Sequence, residues 1–172
     1  MTLIEVVIAI GIIAIVAALL TFNFNQAVSQ QRFLSDVTVV TEQLRLAQDL
    51  MLMMPADFHV RLKPSSAGLQ IWIETDASLT EGWSKELERK NRLLNGIRFV
   101  KFEEQHPYPA KVEGIDIKVF SGGSSMSKGY LFLSQNIDGS GSLPQTICLH
   151  GYPHPIRSIP STKEEINCFA DD

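Results

Sequence analysis

Residues 3–20 read LIEVVIAIGIIAIVAALL, and this stretch is apolar at every position except Glu5. A helix rises about 1.5 Å per residue and the hydrocarbon core of a bilayer is about 30 Å thick, so roughly 20 residues span it. With two more residues at each end, the run is just long enough to span. A carboxylate inside such a run costs free energy, so Glu5 indicates a function that involves a partner.

The rest of the chain has a different composition. Only Glu5, among 15 basic and 19 acidic residues, lies before Arg32, and all eight prolines lie at or after Pro55. The averages, 45% hydrophobic residues and a net charge of −4, exclude a disordered chain, a collagen-like chain and a disulfide-dense miniprotein. The acidic balance also argues against a dedicated nucleic-acid binder, which would carry a basic patch.

The apolar run has two simpler explanations, a cleaved signal peptide and a plain membrane anchor. A cleaved signal peptide needs a basic segment, a shorter apolar core and a small-residue cleavage site. Here no Lys or Arg precedes the run, which continues directly into an amphipathic segment, so a signal peptide is disfavoured. A plain membrane anchor stays open as an alternative, although it leaves Glu5 unexplained.

An amphipathic stripe follows the apolar run. In residues 29–54 apolar side chains recur at alternating spacings of four and three, which predicts one face of a helix. The stripe consists of Phe33, Val37, Val40, Leu44, Ala47, Met51 and Met54. Because no Gly or Pro lies between Gly11 and Pro55, we predict one helix from about residue 3 to 54. A coiled-coil dimer seam is the competing interpretation of the stripe.

Short alternating runs after Pro55 predict antiparallel strands that pack on this helix. The runs are residues 58–62, 69–74, 97–102, 115–120, 130–134, 146–150 and 156–159. Residues 84–94 predict a short helix with Ser84 as its cap and Gly96 after its end. We therefore expect an α+β protein with an apolar helix over 1–28, an amphipathic helix over 29–54 and a β-rich head over 55–172.

The first six residues, Met-Thr-Leu-Ile-Glu-Val, together with the apolar run, resemble the mature N-terminus of the type IV pilin and pseudopilin superfamily. In that superfamily a prepilin peptidase removes a basic leader and methylates the new N-terminal amine. The resemblance therefore implies a leader upstream of Met1 and N-methylation of Met1 itself. It also implies that Glu5 pairs with the N-terminal amine of a neighbouring subunit, because a buried charge is tolerable only when paired.

Within the superfamily, the long helix and β-rich head most resemble the H-type minor pseudopilin of type II secretion. That resemblance implies an inner-membrane protein with a periplasmic head. Its partners would be other pseudopilins, the inner-membrane assembly platform and, on the head, secreted substrates. The alternatives are a minor type IV pilin used in pilus assembly, adhesion or DNA uptake, and a membrane-anchored binding module. No catalytic motif occurs in the sequence, so we expect no enzyme and no nucleic-acid partner.

Two further segments of the sequence carry candidate sites. Cys148 and Cys168 are the only cysteines and could form a disulfide in an oxidising compartment. With His150 and His154 they could instead form a zinc set, although the spacing matches no tight ligand pattern. Asn136, Asp138 and Ser140 resemble half of a calcium loop that lacks its closing acidic residue. A flexible turn explains that segment more simply, so we expect no cofactor.

Overall fold

The computed structural model describes residues 2–76, 81–104, 114–121, 125–136, 143–151 and 153–161; the side chains of 18–23, 81, 84, 89, 104 and 125 lie outside that description. The protein is α+β. Its elements are α1 (Leu3–Met53), β1 (Phe58–Ser65), β2 (Gly68–Thr75), α2 (Glu81–Arg89), β3 (Arg92–Leu94), β4 (Phe99–Glu104), β5 (Ile115–Phe120), β6 (Ser125–Met126), β7 (Gly129–Ser134), β8 (Gln145–Leu149) and β9 (Arg157–Pro160).

The chain divides into two compact units, Met1–Arg32 and Phe33–Asp172. The first unit consists of the N-terminal part of α1. Within the described residues, no helix combines the length and the apolar character needed to cross a membrane. The second unit holds the rest of α1 and all the strands.

Two antiparallel sheets form the second unit. The first has the strand order β3-β2-β1-β5-β6, and the second has the order β4-β7-β8-β9. In β1, Phe58, Val60 and Leu62 are buried while the alternate residues are more exposed, as the period of a strand requires. All five residues of β8 are buried, so both of its faces are covered.

The second half of α1 supplies one wall of the core. Of the seven stripe residues named above, the six from Phe33 to Met51 are buried, and Met54 is half-buried against the same core. Polar contacts fix the helix beside the strands: Asp36 Oδ2 accepts a 2.7 Å hydrogen bond from the Gly96 N–H, and Arg45 donates to the Ile156 carbonyl at 3.0 Å. Because the stripe is buried within the chain, it cannot also serve as a coiled-coil seam.

The segment after β2 differs from its prediction. The helix expected over residues 84–94 is wrong at both ends, since α2 covers Glu81–Arg89 and Arg92–Leu94 forms β3. The chain leaves the helix at Lys90 and Asn91, whose N–H groups donate to the Leu87 and Glu88 carbonyls. A three-residue strand is too short to show a period, and β3 forms because β2 offers it a pairing edge.

Candidate functional site

The N-terminal segment of α1 exposes apolar side chains around its whole circumference. Ten of them are between 43% and 85% exposed: Leu3, Ile4, Val6, Val7, Ile8, Ile10, Ile12, Ile13, Ile15 and Val16. A helix that is apolar all round is normally buried in a membrane or in the core of a large assembly. This segment therefore presents a continuous apolar surface among the described residues.

Glu5 closes the first turn of this helix. Its Oε2 accepts a 2.8 Å hydrogen bond from the main-chain N–H of Thr2, and its own N–H donates to the Thr2 carbonyl at 3.1 Å. This is the return half of a capping box, in which the third helical residue satisfies the main-chain donor of the cap residue. The role of Thr2 was missed from the sequence, although Thr-Leu-Ile-Glu matches the Ser/Thr-x-x-Glu pattern that would have revealed it.

Several predicted site residues lie outside the described part of the chain: Met1, Asp138, Ser140 and Cys168. Of the calcium candidate only Asn136 is described, and its N–H donates to the Ser134 hydroxyl at 3.2 Å. No group of three or more His, Cys, Asp and Glu side chains is placed for metal binding among the residues that are described.

Cys148 is buried in β8 and is disulfide-bonded. Its sulfur is therefore not a thiolate ligand, so Cys148 does not belong to a zinc set with His150 and His154. The rings of His150 and His154 lie 5.9 Å apart, at an angle of 47°. Since the second cysteine lies outside the described residues, the bridge from Cys148 to Cys168 stays a prediction.

Ionisable side chains tie the strands of the first sheet together on its outer face. His59 Nδ1 on β1 lies 3.0 Å from Asp116 Oδ1 on β5, and His59 Nε2 lies 3.4 Å from Asp76 Oδ2, just after β2. Arg61 pairs with Glu74 at 2.5 Å. These contacts cross-link neighbouring strands, which is a structural role.

Two carboxylates of the head are stabilised in their charged form. Asp57 precedes β1, and the main-chain N–H of Ser121 and then its hydroxyl donate to it, which lowers the pKa of Asp57 from its ordinary value. On the second sheet, Lys101 and then Tyr130 donate to Glu103 and lower its pKa, while Glu103 raises the pKa of the Tyr130 phenol.

A cleft of about 770 Å³ opens beside β2. Its lining comes from β2, α2 and β3: Gln70, Ile71, Trp72, Ile73, Glu74, Thr75, Leu87, Glu88, Asn91, Arg92 and Leu93. The volume is within the range of ligand sites. No sequence signal predicted this cleft, because it depends on where β3 ends relative to β2.

Comparisons of the chain with protein-family models, with curated proteins and with solved structures return no match.

Proposed function

We propose that this chain is a minor pseudopilin of a type II secretion system, most like the H-type subunit. The observation that carries the proposal is the apolar surface of α1 between Leu3 and Val16, interrupted only by Glu5. The Thr-Leu-Ile-Glu start and the β-rich head on the same helix support it. In this proposal the first unit lies in the inner membrane until it enters a filament core, and the head lies in the periplasm.

The exposed apolar side chains would supply the free energy of both placements. Burying a large apolar side chain is worth about 1.5–3 kcal/mol relative to leaving it in water. Ten such side chains correspond to a gross gain on the order of 15–30 kcal/mol before any cost of ordering. A bilayer and a bundle of like helices would both satisfy this surface, so moving the helix from one to the other need not expose it to water.

Glu5 has a specific part in the proposed assembly. An unpaired carboxylate among apolar helices costs several kcal/mol, whereas a carboxylate beside a neighbour's N-terminal amine forms a charge pair. The hydrogen bond from the Thr2 N–H occupies one acceptor position on Oε2. A carboxylate offers about four acceptor positions in all, so the cap and an intersubunit pair can coexist on Glu5.

One observation favours the second candidate, a membrane-anchored binding module that does not assemble. The capping contact to Thr2 already gives Glu5 a local role that needs no neighbouring subunit. Under that candidate, the negative charge of Glu5 is dispensable and only its acceptor oxygen matters.

Two substitutions at Glu5 separate the candidates. Glu5→Gln keeps a capping acceptor, since Gln replaces Glu in capping boxes, but it removes the charge. Glu5→Val removes both. If the charge pairs with a neighbour, both variants lose incorporation into filaments and secretion, measured by cross-linking of sheared filaments and by export of a reporter protein.

The opposite result, normal assembly of either variant, would also be informative. Normal assembly of Glu5→Gln would contradict the pairing role, and normal assembly of Glu5→Val would contradict any role of Glu5 in assembly. Membrane fractionation of both variants is the control for insertion. The intact mass of the N-terminal peptide from cells then tests processing: a methylated Met1 supports a pseudopilin, and an uncleaved, unmethylated terminus favours the anchored module.

A further inference from the structure

Asn95 and Gly96 form a turn directly after β3. No other asparagine in the sequence is followed by glycine. In such a pair the main-chain nitrogen of the glycine can attack the side-chain carboxamide of the asparagine, because no Cβ on the glycine obstructs the approach. Asn95 is exposed, so water reaches it. The turn therefore carries the groups for a covalent modification of the chain by itself.

The reaction is deamidation, and water is its only co-reactant. A bond forms between the Gly96 nitrogen and Asn95 Cγ, and the bond from Cγ to Nδ2 breaks. Ammonia leaves with the proton that the Gly96 nitrogen gives up. Water then opens the resulting cyclic imide to aspartate or to isoaspartate, so that nothing is oxidised or reduced.

An atom of α1 occupies the direction from which Asn95 must react. In a trans peptide the amide hydrogen of Gly96 lies on the same side as Asn95 Cα, and in the cyclic imide Cγ takes the place of that hydrogen. In the folded protein, Asp36 Oδ2 lies in this direction, 2.7 Å from the Gly96 nitrogen, and accepts its hydrogen bond. Asn95 Cγ can therefore approach the nitrogen only after Asp36 has left it.

The main chain on both sides of the turn is also held. Before it, Leu94 pairs with Leu69 of β2. After it, the Arg98 N–H donates to the Ser134 carbonyl at 3.0 Å. These contacts restrict the rotation that would bring the Asn95 side chain to the next nitrogen. Deamidation consequently requires a local opening that separates the turn from α1.

We propose that Asn95 is a conditional deamidation site, which Asp36 keeps closed while α1 packs on the head and which opens when that contact is lost. The modification runs in one direction only. Isoaspartate inserts the side-chain methylene into the main chain before Gly96, and either product adds a negative charge beside the turn that Asp36 must contact. A head that has released α1 is thereby marked and hindered from binding it again. The proposal does not depend on filament assembly, since every group that it uses belongs to the second unit.

Two substitutions at Asp36 test the blocking role. Asp36→Ala removes the acceptor, whereas Asp36→Asn keeps an oxygen that can accept the same hydrogen bond. The full-length proteins are incubated in detergent micelles in mildly alkaline buffer. Peptide mapping by mass spectrometry follows the conversion of Asn95, and an isoaspartate-specific methyltransferase gives a second readout. A capped peptide with the sequence of residues 93–98 gives the rate without protection.

We expect Asn95 in the wild-type protein to convert roughly tenfold or more slower than in the peptide, because a hydrogen bond to a charged acceptor shifts an opening equilibrium by about that factor. Asp36→Ala should lose most of this protection, and Asp36→Asn should keep most of it. Equal rates in the wild-type protein and the peptide would overturn the closed site. Equal rates in the wild-type protein and Asp36→Ala would overturn the role of Asp36.

Leu44→Ala is the control that separates local blocking from a general loss of stability. It truncates a fully buried side chain of α1 and leaves the hydrogen bond between Asp36 and Gly96 in place. Because the turn opens locally far more often than the whole head unfolds, this variant should convert much more slowly than Asp36→Ala. Conversion of Leu44→Ala as fast as that of Asp36→Ala would overturn the local block.

Discussion

Glu5 Oε2 lies 2.8 Å from the main-chain nitrogen of Thr2, so the only charged residue before Arg32 also caps the helix that carries it. The helix begins one residue after Thr2, where its first N–H groups have no intrahelical acceptor. The carboxylate satisfies the Thr2 donor next to these groups, and its negative charge lies at the positive end of the helix dipole. Glu5 therefore contributes both a negative charge and a hydrogen-bond acceptor, and substitutions can remove the first without the second.

Replacing Glu5 should loosen the first turn to an extent that depends on the substituent. We expect Glu5→Val to lower the local opening free energy by about 1 kcal/mol, and Glu5→Gln by less than half of that. Hydrogen exchange of the first-turn amides in micelles measures both. Glu42→Gln, on an exposed face of α1, is the control that should change nothing there. Equal losses for Val and Gln would mean that the dipole, and not the hydrogen bond, dominates.

Truncating the buried stripe should cost far more than truncating the exposed face of the same helix. Leu44 is 0% exposed and Leu34 is 41% exposed. We expect Leu44→Ala to lower the free energy of unfolding by about 2–5 kcal/mol, since it leaves a cavity, and Leu34→Ala by less than about 1 kcal/mol. Denaturant unfolding of the full-length chain in detergent compares them. Similar losses would contradict the packing of α1 in the core.

Gly96 allows α1 and the segment before β4 to approach closely. A Cβ at Gly96 would lie 3.0 Å from the Phe33 main chain and 2.9 Å from Asp36 Oδ2. Gly96→Ala should therefore destabilise the head by about 1–3 kcal/mol. Gly82→Ala is the control, because a Cβ there meets nothing within 4 Å inside α2. Gly82→Ala should instead stabilise the protein by about 0.5–1 kcal/mol. If both substitutions changed the free energy of unfolding in the same direction, the close approach at Gly96 would be contradicted.

Asp57 makes part of the stability depend on pH. Because Ser121 lowers the pKa of Asp57 in the folded state, the folded state binds fewer protons than the unfolded state in that range. The contribution is present above the ordinary carboxyl pKa and is lost as the pH falls through the folded value. The wild-type protein should have a higher free energy of unfolding than Asp57→Asn at about pH 6. This difference should shrink as the pH falls to about 2. Thermal unfolding at several pH values measures this difference, and a constant difference across the range would contradict the role of Asp57. Asp49→Asn, at an exposed position of α1, is the control.

The proposed bridge between Cys148 and Cys168 predicts a redox-dependent stability. Closing a loop of this length is worth roughly 3 kcal/mol in the chain-entropy model. A reductant should therefore lower the melting temperature of the wild-type protein, but not that of the Cys148→Ala/Cys168→Ala double variant. Peptide mapping without reduction should recover the two cysteines in one cross-linked fragment. Recovery of Cys168 as a free thiol would contradict the pairing.

Strands whose apolar residues alternate along the sequence could be predicted. Strands that form only because a neighbouring strand offers a pairing edge could not. The runs around Phe58, Ile71 and Ile117 alternate strictly, and each lies in an observed strand. β3 and β6 have three and two residues and show no period. They form where neighbouring strands leave an edge, which is a tertiary effect.

The candidate sites divide in the same way. The charge pattern singled out Glu5, and the Ser/Thr-x-x-Glu spacing would have added its contact with Thr2. The cleft beside Trp72 could not be found from the sequence. It arises because the chain turns away from β2 at Lys90, after only three pairs with β3, and no local pattern encodes that length.

The burial of the α1 stripe has a consequence during synthesis. Val40 is made early, but the strand β8 (Gln145–Leu149), which packs in the same core, follows about 100 residues later. At about 5–20 residues per second, the ribosome needs roughly 5–20 s to cover that distance. For those seconds the apolar face of the nascent helix lacks the part of its core that β8 supplies, so chaperones or other factors that meet the chain at the ribosome would have to protect it.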